Sequence, residues 1–402
     1  MLPNHPSPSF RKLDFVTDAD GFVSMIIYNS HPGDSVLIAP KYFPDPAGTW
    51  SSHATEQHYS RFEYYWNLIK PEKGNATKLY DVDKNPLHEY ITDVFTRFNK
   101  YLVDDPCHGV PMYRLPRASI ARYHDAKEKY REYAGAIPGP ARKFAPLLRK
   151  VNNAFDENKL GITGSYLYDL YQDFSDLNLV FYDSAVEHFY DFLAMEGGLL
   201  TRQDIEVKVP PPGWQGWQAG CGDARSFLPR AMKMINGKTV IAVKSRFVGS
   251  IHDASDERTR LGFWISNTAD PHDYGRFKKK SLGIAVITGH VTSWVDDMPS
   301  GHFQLGNIEI LGIYPAISIE PSGTNSVADK KDREGLLDKV KISAVQVVGE
   351  FNRMFIFDED VVAFGLVEEI AVTGKKDPVY ELLVGGREIG GWIFPVEPLI
   401  SR

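Results

Sequence analysis

The stretch that decides the reading is GITGSYLYDLYQDFSDLNLVFYDS, residues 161 to 184. Gly164-Ser165 opens SYLYDLYQ, whose apolar spacing predicts a short amphipathic helix. After the DFS turn, DLNLVFY alternates as a strand does. That alternation sets Asp176, Asn178 and Val180 on one face and Leu177, Leu179 and Phe181 on the other. A glycine at a helix start lets the backbone approach a ligand, neighbouring N–H groups face an anion, and a serine adds a hydroxyl. The segment therefore reads as a phosphate cradle beside a strand that carries Asp176. A divalent cation wants carboxylates on one strand face, and position 178 offers an amide oxygen instead. An ordinary helix-strand turn is the plainer account of the same residues.

Working outward, the chain before this stretch is β-rich. KLDFVTDADGFVSMIIYNS holds two apolar runs around Asp20-Gly21, a pair suited to a hairpin turn, and DSVLIAPKYFPDP continues as a third strand. A helix is expected around Tyr59 to Ile69, and another over PLHEYITDVFTRFNKYL, where Tyr90, Val94, Phe98 and Leu102 form one apolar stripe. Pro116 is expected to start a helix through IARYHDAKEKYREY, with Lys127 to Arg131 on a solvated face. The Gly/Pro/Ala-rich AGAIPGPARKF marks a boundary. A helix follows over PARKFAPLLRKVNNAFDENK, kinked or divided by Pro146.

Beyond the quoted stretch, AVEHFYDFLAMEGG reads as a helix, and DIEVKV and KTVIAVKSRFVG read as strands. From about residue 260, short apolar strands recur between Gly, Asp and Asn turns, which argues for a small barrel or sandwich. The expected units are an α+β domain over 1–135, a second domain over 136–260 and a β-rich domain over 261–402. FKKKS at 277–281 reads as a solvated turn, with contact to a polyanion as the alternative. Trp214 and Trp217, in GWQGWQAGCGD, form either a packed loop or a stacking platform for a base.

Composition narrows the function. The 402 residues exceed what one core usually spans, and a net charge of −7 disfavours a long nucleic acid as partner. Cys107 and Cys221 have no metal spacing and read as free thiols. No 18-residue apolar run occurs, and the first residues lack an apolar signal core, so the expectation is a cytoplasmic protein with no membrane partner. GxGxxG, GxxxxGK[ST] and GxSxG are absent, which removes dinucleotide-binding, P-loop and α/β-hydrolase readings as first choices.

TGSYLYDLYQDFSDLNLVFY resembles the signature of the polymerase-β-like nucleotidyltransferase superfamily: Gly-Ser, about ten residues, then Asp-x-Asp on a strand. KLDFVTDADGFVSMIIYNSHPGDSVLIAPKYFPDP and LPRASIARYHDAKEKYREY look like the N-terminal part of an archaeal-type family of predicted nucleotidyltransferases. The resemblance spans roughly residues 10–185. It implies a central mixed sheet with helices in the second domain, Gly164 and Ser165 gripping the phosphates of an NTP, and Asp176 ligating Mg²⁺. The sequence departs at position 178, where the family's second Asp is replaced by Asn. Two unit charges about 4 Å apart are worth about 4 kcal/mol at an effective dielectric of about 20, and that contribution to holding a dication is lost. Glu206, in QDIEVKV, is the candidate for a compensating acid; Asp183 is a second, better suited to capping. Lys244, in the following strand, is a candidate cation for the nucleotide.

Two functions follow. The first is an enzyme that moves an NMP from an NTP to a small-molecule acceptor, with Asp176 and Asn178 at the Mg²⁺ and Glu206 assisting. The second is a catalytically impaired protein of that fold that binds a nucleotide or scaffolds a partner. A third, unrelated chemistry on a phosphorylated or adenylated metabolite, remains open.

Overall fold

The Asp20-Gly21 hairpin forms as its sequence predicts. In the computed structural model, β1 (Phe15–Asp18) and β2 (Val23–Ile26) pair antiparallel. The Asp18 carboxylate closes the turn by accepting from the N–H groups of Asp20 and Phe22, at 3.0 and 2.9 Å. The structure describes residues 10–61, 97–109, 111–137, 139–172, 175–183, 200–207, 243–253, 256–266, 273–295, 300–315, 340–348, 360–384 and 392–395. The apolar-striped helix over PLHEYITDVFTRFNKYL falls largely outside these residues. The AVEHFYDFLAMEGG helix and Trp214 and Trp217 lie outside them entirely.

The first sheet is eight-stranded and antiparallel. β3 (Ser35–Pro44) follows β2, and β4 (Trp50–Ser51) and β5 (His58–Arg61) extend one end. β6 (Leu102–Asp104) pairs with β7 (Pro111–Pro116), β7 pairs with the start of β3, and β8 (Ile120–His124) pairs with β1. Two helix expectations are corrected here. Residues 58–61, taken as a helix start, are β5, because Tyr59 is drawn into the core opposite Pro44; residues 62–69 lie outside the described part.

Pro116 does not open a helix either. A 3₁₀ turn, Arg117–Ser119, and β8 come first, and α1 (Ala126–Gly135) starts only after Asp125. The Asp125 side chain caps α1 by accepting from the Lys127 and Glu128 N–H groups, a stronger start signal than a proline followed by an alternating run. A second carboxylate, Asp14 from β1's approach, accepts from the Ala126 N–H at 2.8 Å and is also held by Arg11 and the Tyr123 hydroxyl. Complete burial pushes its carboxyl up to about 6, although the Arg11 charge pulls the other way. α2 (Ala145–Ala154) carries Pro146 in its first turn, after a 3₁₀ stretch over Gly139–Phe144, so the predicted helix is divided there.

The middle sheet is mixed. Its order is β11-β12-β13-β10-β9, built from β9 (Leu160–Thr163), β10 (Leu177–Tyr182), β11 (Leu200–Val207), β12 (Val243–Asp253) and β13 (Asp256–Ser266). β10 runs parallel to β13 and antiparallel to β9. The strand alternation read from the sequence holds: Leu177, Leu179 and Phe181 pack with Tyr130, Tyr133, Phe144 and Leu147 of the helical side. Val180 and Tyr182 pack with Leu13, Phe15, Val23 and Met25 of the first sheet.

Two observations fall across the expected boundaries. The second of these clusters takes residues from both sides of 135/136. The 260/261 boundary cuts through β13, which belongs to the middle sheet. The reason is that RLGFWIS belongs to a strand paired on both sides, and its sequence does not distinguish it from the strands that follow.

The C-terminal expectation of a barrel or sandwich resolves to a barrel. β14 (Phe277–Val295), β15 (Ser300–Pro315), β16 (Ile342–Val348), β17 (Asp360–Val372) and β18 (Val379–Val384) follow the order β14-β15-β16-β18-β17, and β17 pairs back onto β14 to close the ring. β19 (Trp392–Pro395) adds to β17. With helices, two open sheets and a barrel, the fold is α+β and strand-dominated.

FKKKS is no turn but the start of β14, with Lys278 and Lys280 exposed and Lys279 half-buried. The Lys279 ammonium donates to Glu368 at 2.8 Å and Gln346 at 2.7 Å, on the barrel face opposite Val345, Val367 and Leu382. Burial lowers the lysine pKa, but Glu368 and Glu381 outweigh it and hold the group charged. Nearby, the Lys279 N–H donates to the Cys107 carbonyl and the Tyr274 hydroxyl to Asp105, both at 2.7 Å, which fastens the barrel to the first sheet. No helix among the described residues is long and apolar enough to cross a membrane.

Two predictions follow from these contacts. Glu368→Ala leaves the Lys279 charge buried without its carboxylate, and should cost about 3–5 kcal/mol of stability in urea unfolding. His124 is buried against Thr17 (2.9 Å), and burial, with Arg122 and Lys129 nearby, lowers it to about 3. Its neutral form is favoured in the fold, so stability is lost as pH falls from the ordinary histidine value near 6.5 toward 3. His124→Gln should flatten the pH–stability profile over that window relative to the parent protein; an unchanged slope would contradict the assignment.

Candidate functional site

β9 ends at Thr163, which lies opposite Asn178 in the β9–β10 register and whose hydroxyl donates to the Leu13 carbonyl at 2.7 Å. The chain then turns through Gly164 at φ +73, a conformation open to glycine but costly for other residues. The helix expected over SYLYDLYQ is a single 3₁₀ turn, Gly164–Tyr166, followed by further turns. Its residues are pulled into two cores: Tyr166 and Tyr171 join the helical-side cluster, Leu167 and Leu170 the cluster between the sheets.

Contacts from three other elements set the path of this loop. His53 stacks on Tyr171, which stacks on Tyr166, at ring distances of 4.2 and 4.4 Å. Lys129 pairs with Asp169 at 2.8 Å, and the Tyr59 and Tyr168 hydroxyls bond at 2.9 Å. A three-residue turn aligns few peptide dipoles, so it supplies little of the field that a full helix would offer an anion.

The site residues on β10 are brought together with Gly164. Asn178 Nδ2 faces Gly164, where an added Cβ would stand 3.1 Å from it, and lies 3.5 Å from the Asp176 carbonyl. Asn178 Oδ1 accepts from the indole N–H of Trp264 on β13 at 3.3 Å. Because an indole N–H only donates, the atom facing it is the amide oxygen, which fixes the orientation of the carboxamide. Between them lies Gly262, opposite Asn178 in the β10–β13 register. A Cβ there would sit 2.1 Å from Asn178 Oδ1 and 3.2 Å from Asp176 Oδ2, so both side chains fold over that glycine into space that any other residue would fill. Asp176 is exposed, and its carboxylate makes no hydrogen bond or ion pair among the described residues.

The remaining candidates are not gathered here. Ser165 is buried at 8% exposure, and its hydroxyl has no hydrogen-bond partner among the described residues. Glu206 stands on β11, with β12 and β13 between it and β10. Three strand spacings amount to about 14 Å, before adding its displacement along the strands. Lys244 is opposite Glu206 on β12 and is displaced along the sheet in the same way. Asp183, at φ +49 past the end of β10, sits 3.9 Å from Lys159 at the far end of the strand from Asp176.

Among the described residues the donor set falls short of a two-metal transfer centre. They offer one carboxylate and one amide oxygen already accepting from Trp264, and no cluster of three or more His, Cys, Asp or Glu placed for a metal occurs among the described residues. Gly262 and Trp264 are the site residues that sequence reasoning missed. The parallel β10–β13 pairing that brings them to Asn178 joins positions 84 to 86 apart, with no local motif to announce it.

No family model, curated protein or solved structure matches this chain. Gly164→Ala should lose about 1–2 kcal/mol of stability by chemical denaturation, since the methyl group meets both an unfavourable φ and the Asn178 amide.

Proposed function

We propose that this chain is a nucleotide-binding protein whose middle domain has the arrangement of a polymerase-β-like nucleotidyltransferase without its productive metal chemistry. The observation that carries the reading is the state of Asn178. Where the superfamily signature has a second metal-binding carboxylate, this chain has a neutral amide whose oxygen is engaged by the Trp264 indole. Asp176, Asn178, Gly164 and Gly262 still converge at one end of β10, beside the turn that carries the Gly-Ser pair. What the site retains is a set of directional polar groups; what it lacks is the second negative charge that would hold a dication against water.

One observation favours a second reading. The Asp176 carboxylate is exposed and without a partner among the described residues, as a group awaiting a cation would be. On that reading the protein transfers an NMP from an NTP to a small acceptor, and Mg²⁺ enters with the nucleotide. Asp176 and Asn178 would then hold the ion, which would neutralise phosphate charge.

Isothermal titration with ATP, GTP, CTP and UTP, paired with a pyrophosphate-release assay over a pool of metabolites, separates the two. The expected outcome is binding of at least one nucleotide without pyrophosphate release. Release that Asp176→Ala abolishes and Asn178→Asp increases would establish the transferase reading instead.

A further inference from the structure

We infer that the rim of the barrel carrying Lys278, Lys280, Lys375 and Lys376 binds the phosphate backbone of a short single-stranded nucleic acid. These residues stand on other elements than the Asp176–Asn178 end of β10, and the inference does not depend on the reading of that site.

Alternation along β14 splits the lysines of FKKKS between two faces. Lys279 is engaged by Glu368 and Gln346, whereas Lys278 and Lys280 alternate with it and are exposed. They lie opposite Ala371 and Glu369 of β17. β17 then ends in the turn TGKKDP, residues 373–378, which leads into β18. The Thr373 N–H fastens this turn to the start of β14 by donating to the Arg276 carbonyl at 2.8 Å. Lys375 and Lys376 stand exposed in the turn, so lysines from two distant parts of the sequence meet at one end of the barrel.

None of these four ammonium groups has an ion pair or a hydrogen bond among the described residues. The acids nearby do not neutralise them. Asp273 sits 3.6 Å from Arg276, and Glu369 accepts from the Tyr380 hydroxyl at 3.4 Å. Asp377 is the acid of the turn itself.

The chemistry of the rim selects the partner. Lysine is depleted at protein–protein interfaces, which centre on buried aromatic or arginine anchors, and the rim exposes no large apolar side chain among the described residues. Stable membrane anchoring takes an apolar insertion besides basic charge. Phosphates need only point charges at a repeat, and alternate strand residues such as Lys278 and Lys280 recur about every 7 Å. Small five-stranded barrels hold oligonucleotides with the loop between their fourth and fifth strands, and here that loop is the one with Lys375 and Lys376. The net charge of −7 confines the contact to this local excess of positive charge.

The test is fluorescence anisotropy of the full chain with labelled deoxythymidine and uridine oligomers of about 12 nucleotides, at about 50 and 200 mM salt. Competitors are the matching duplex, a glutamate polymer and vesicles of phosphatidylcholine with phosphatidylserine. Neutralising four phosphates gives a salt slope of about −3 for a single strand, a loss of about fiftyfold across that range. Lys375→Gln with Lys376→Gln should reduce the slope by about half and weaken binding about tenfold at the lower salt, as should Lys278→Gln with Lys280→Gln. Lys375→Arg with Lys376→Arg should retain both, and Lys150→Gln, on α2, should change neither. Thermal melts of each variant report folding separately.

An absence of binding at the lower salt, or a slope that the glutamine variants leave unchanged, overturns the inference. So does displacement by the duplex or the glutamate polymer at the concentration at which unlabelled oligomer displaces, or capture of the chain by the vesicles in its place. Each of these outcomes leaves the reading of the β10 site standing.

Discussion

Strand β10 is the constraint on which the rest of the architecture depends. Five of its six residues are shared between two apolar clusters, one toward the helices and one toward the first sheet. Because strand side chains alternate, a slip of one residue would exchange the two faces and put Asn178 into a core. The burial of Leu177, Leu179 and Phe181 on one side, and of Val180 and Tyr182 on the other, therefore fixes where Asp176 and Asn178 emerge. The polar end of the strand owes its position to the apolar part.

The same strand joins the first sheet to the middle one through a shared buried cluster. Its even-numbered face completes a core begun by Leu13, Phe15 and Met25, while α1 is anchored from the other side by Asp14. The barrel is joined differently, through the Cys107 carbonyl, Asp105, Tyr274 and a small cluster of Cys107, Phe277 and Ile370. Among the described residues, that attachment is built from directional bonds more than from a broad apolar face.

Much of this was legible in the sequence wherever the signal is local. The Asp20-Gly21 hairpin, the alternation of DLNLVFY, the division at Pro146 and the barrel-type strands beyond residue 273 all follow from spacing and turn chemistry. The failures have a common cause. SYLYDLYQ has helical spacing, yet two cores compete for its side chains and leave one 3₁₀ turn. HYSR and the residues after Pro116 were drawn into strands by partners distant in sequence. Lys279 looks like part of a solvated run until Glu368, 89 residues on, faces it. At the site, Asp176, Asn178 and Gly164 were visible as a motif, whereas Gly262 and Trp264 depend on a parallel pairing that no local pattern encodes. Glu206 shows the converse: an acid at a plausible distance in sequence, carried away by strand order.

Closure of the barrel has an implication for how the chain comes to be folded. The strand that seals the ring, β17, pairs along β14 from Phe277↔Val372 to His290↔Asp360, so the first strand of the barrel waits for its last neighbour across some seventy to ninety-five intervening positions. During synthesis, one long margin of β14 has no hydrogen-bonding neighbour until residue 372 has left the ribosome. Pairings of such long range form slowly, and an unsatisfied strand margin is a template for association with other chains. β17 thus acts as an intramolecular guard for that margin, and chains that end before it are the ones most exposed to self-association.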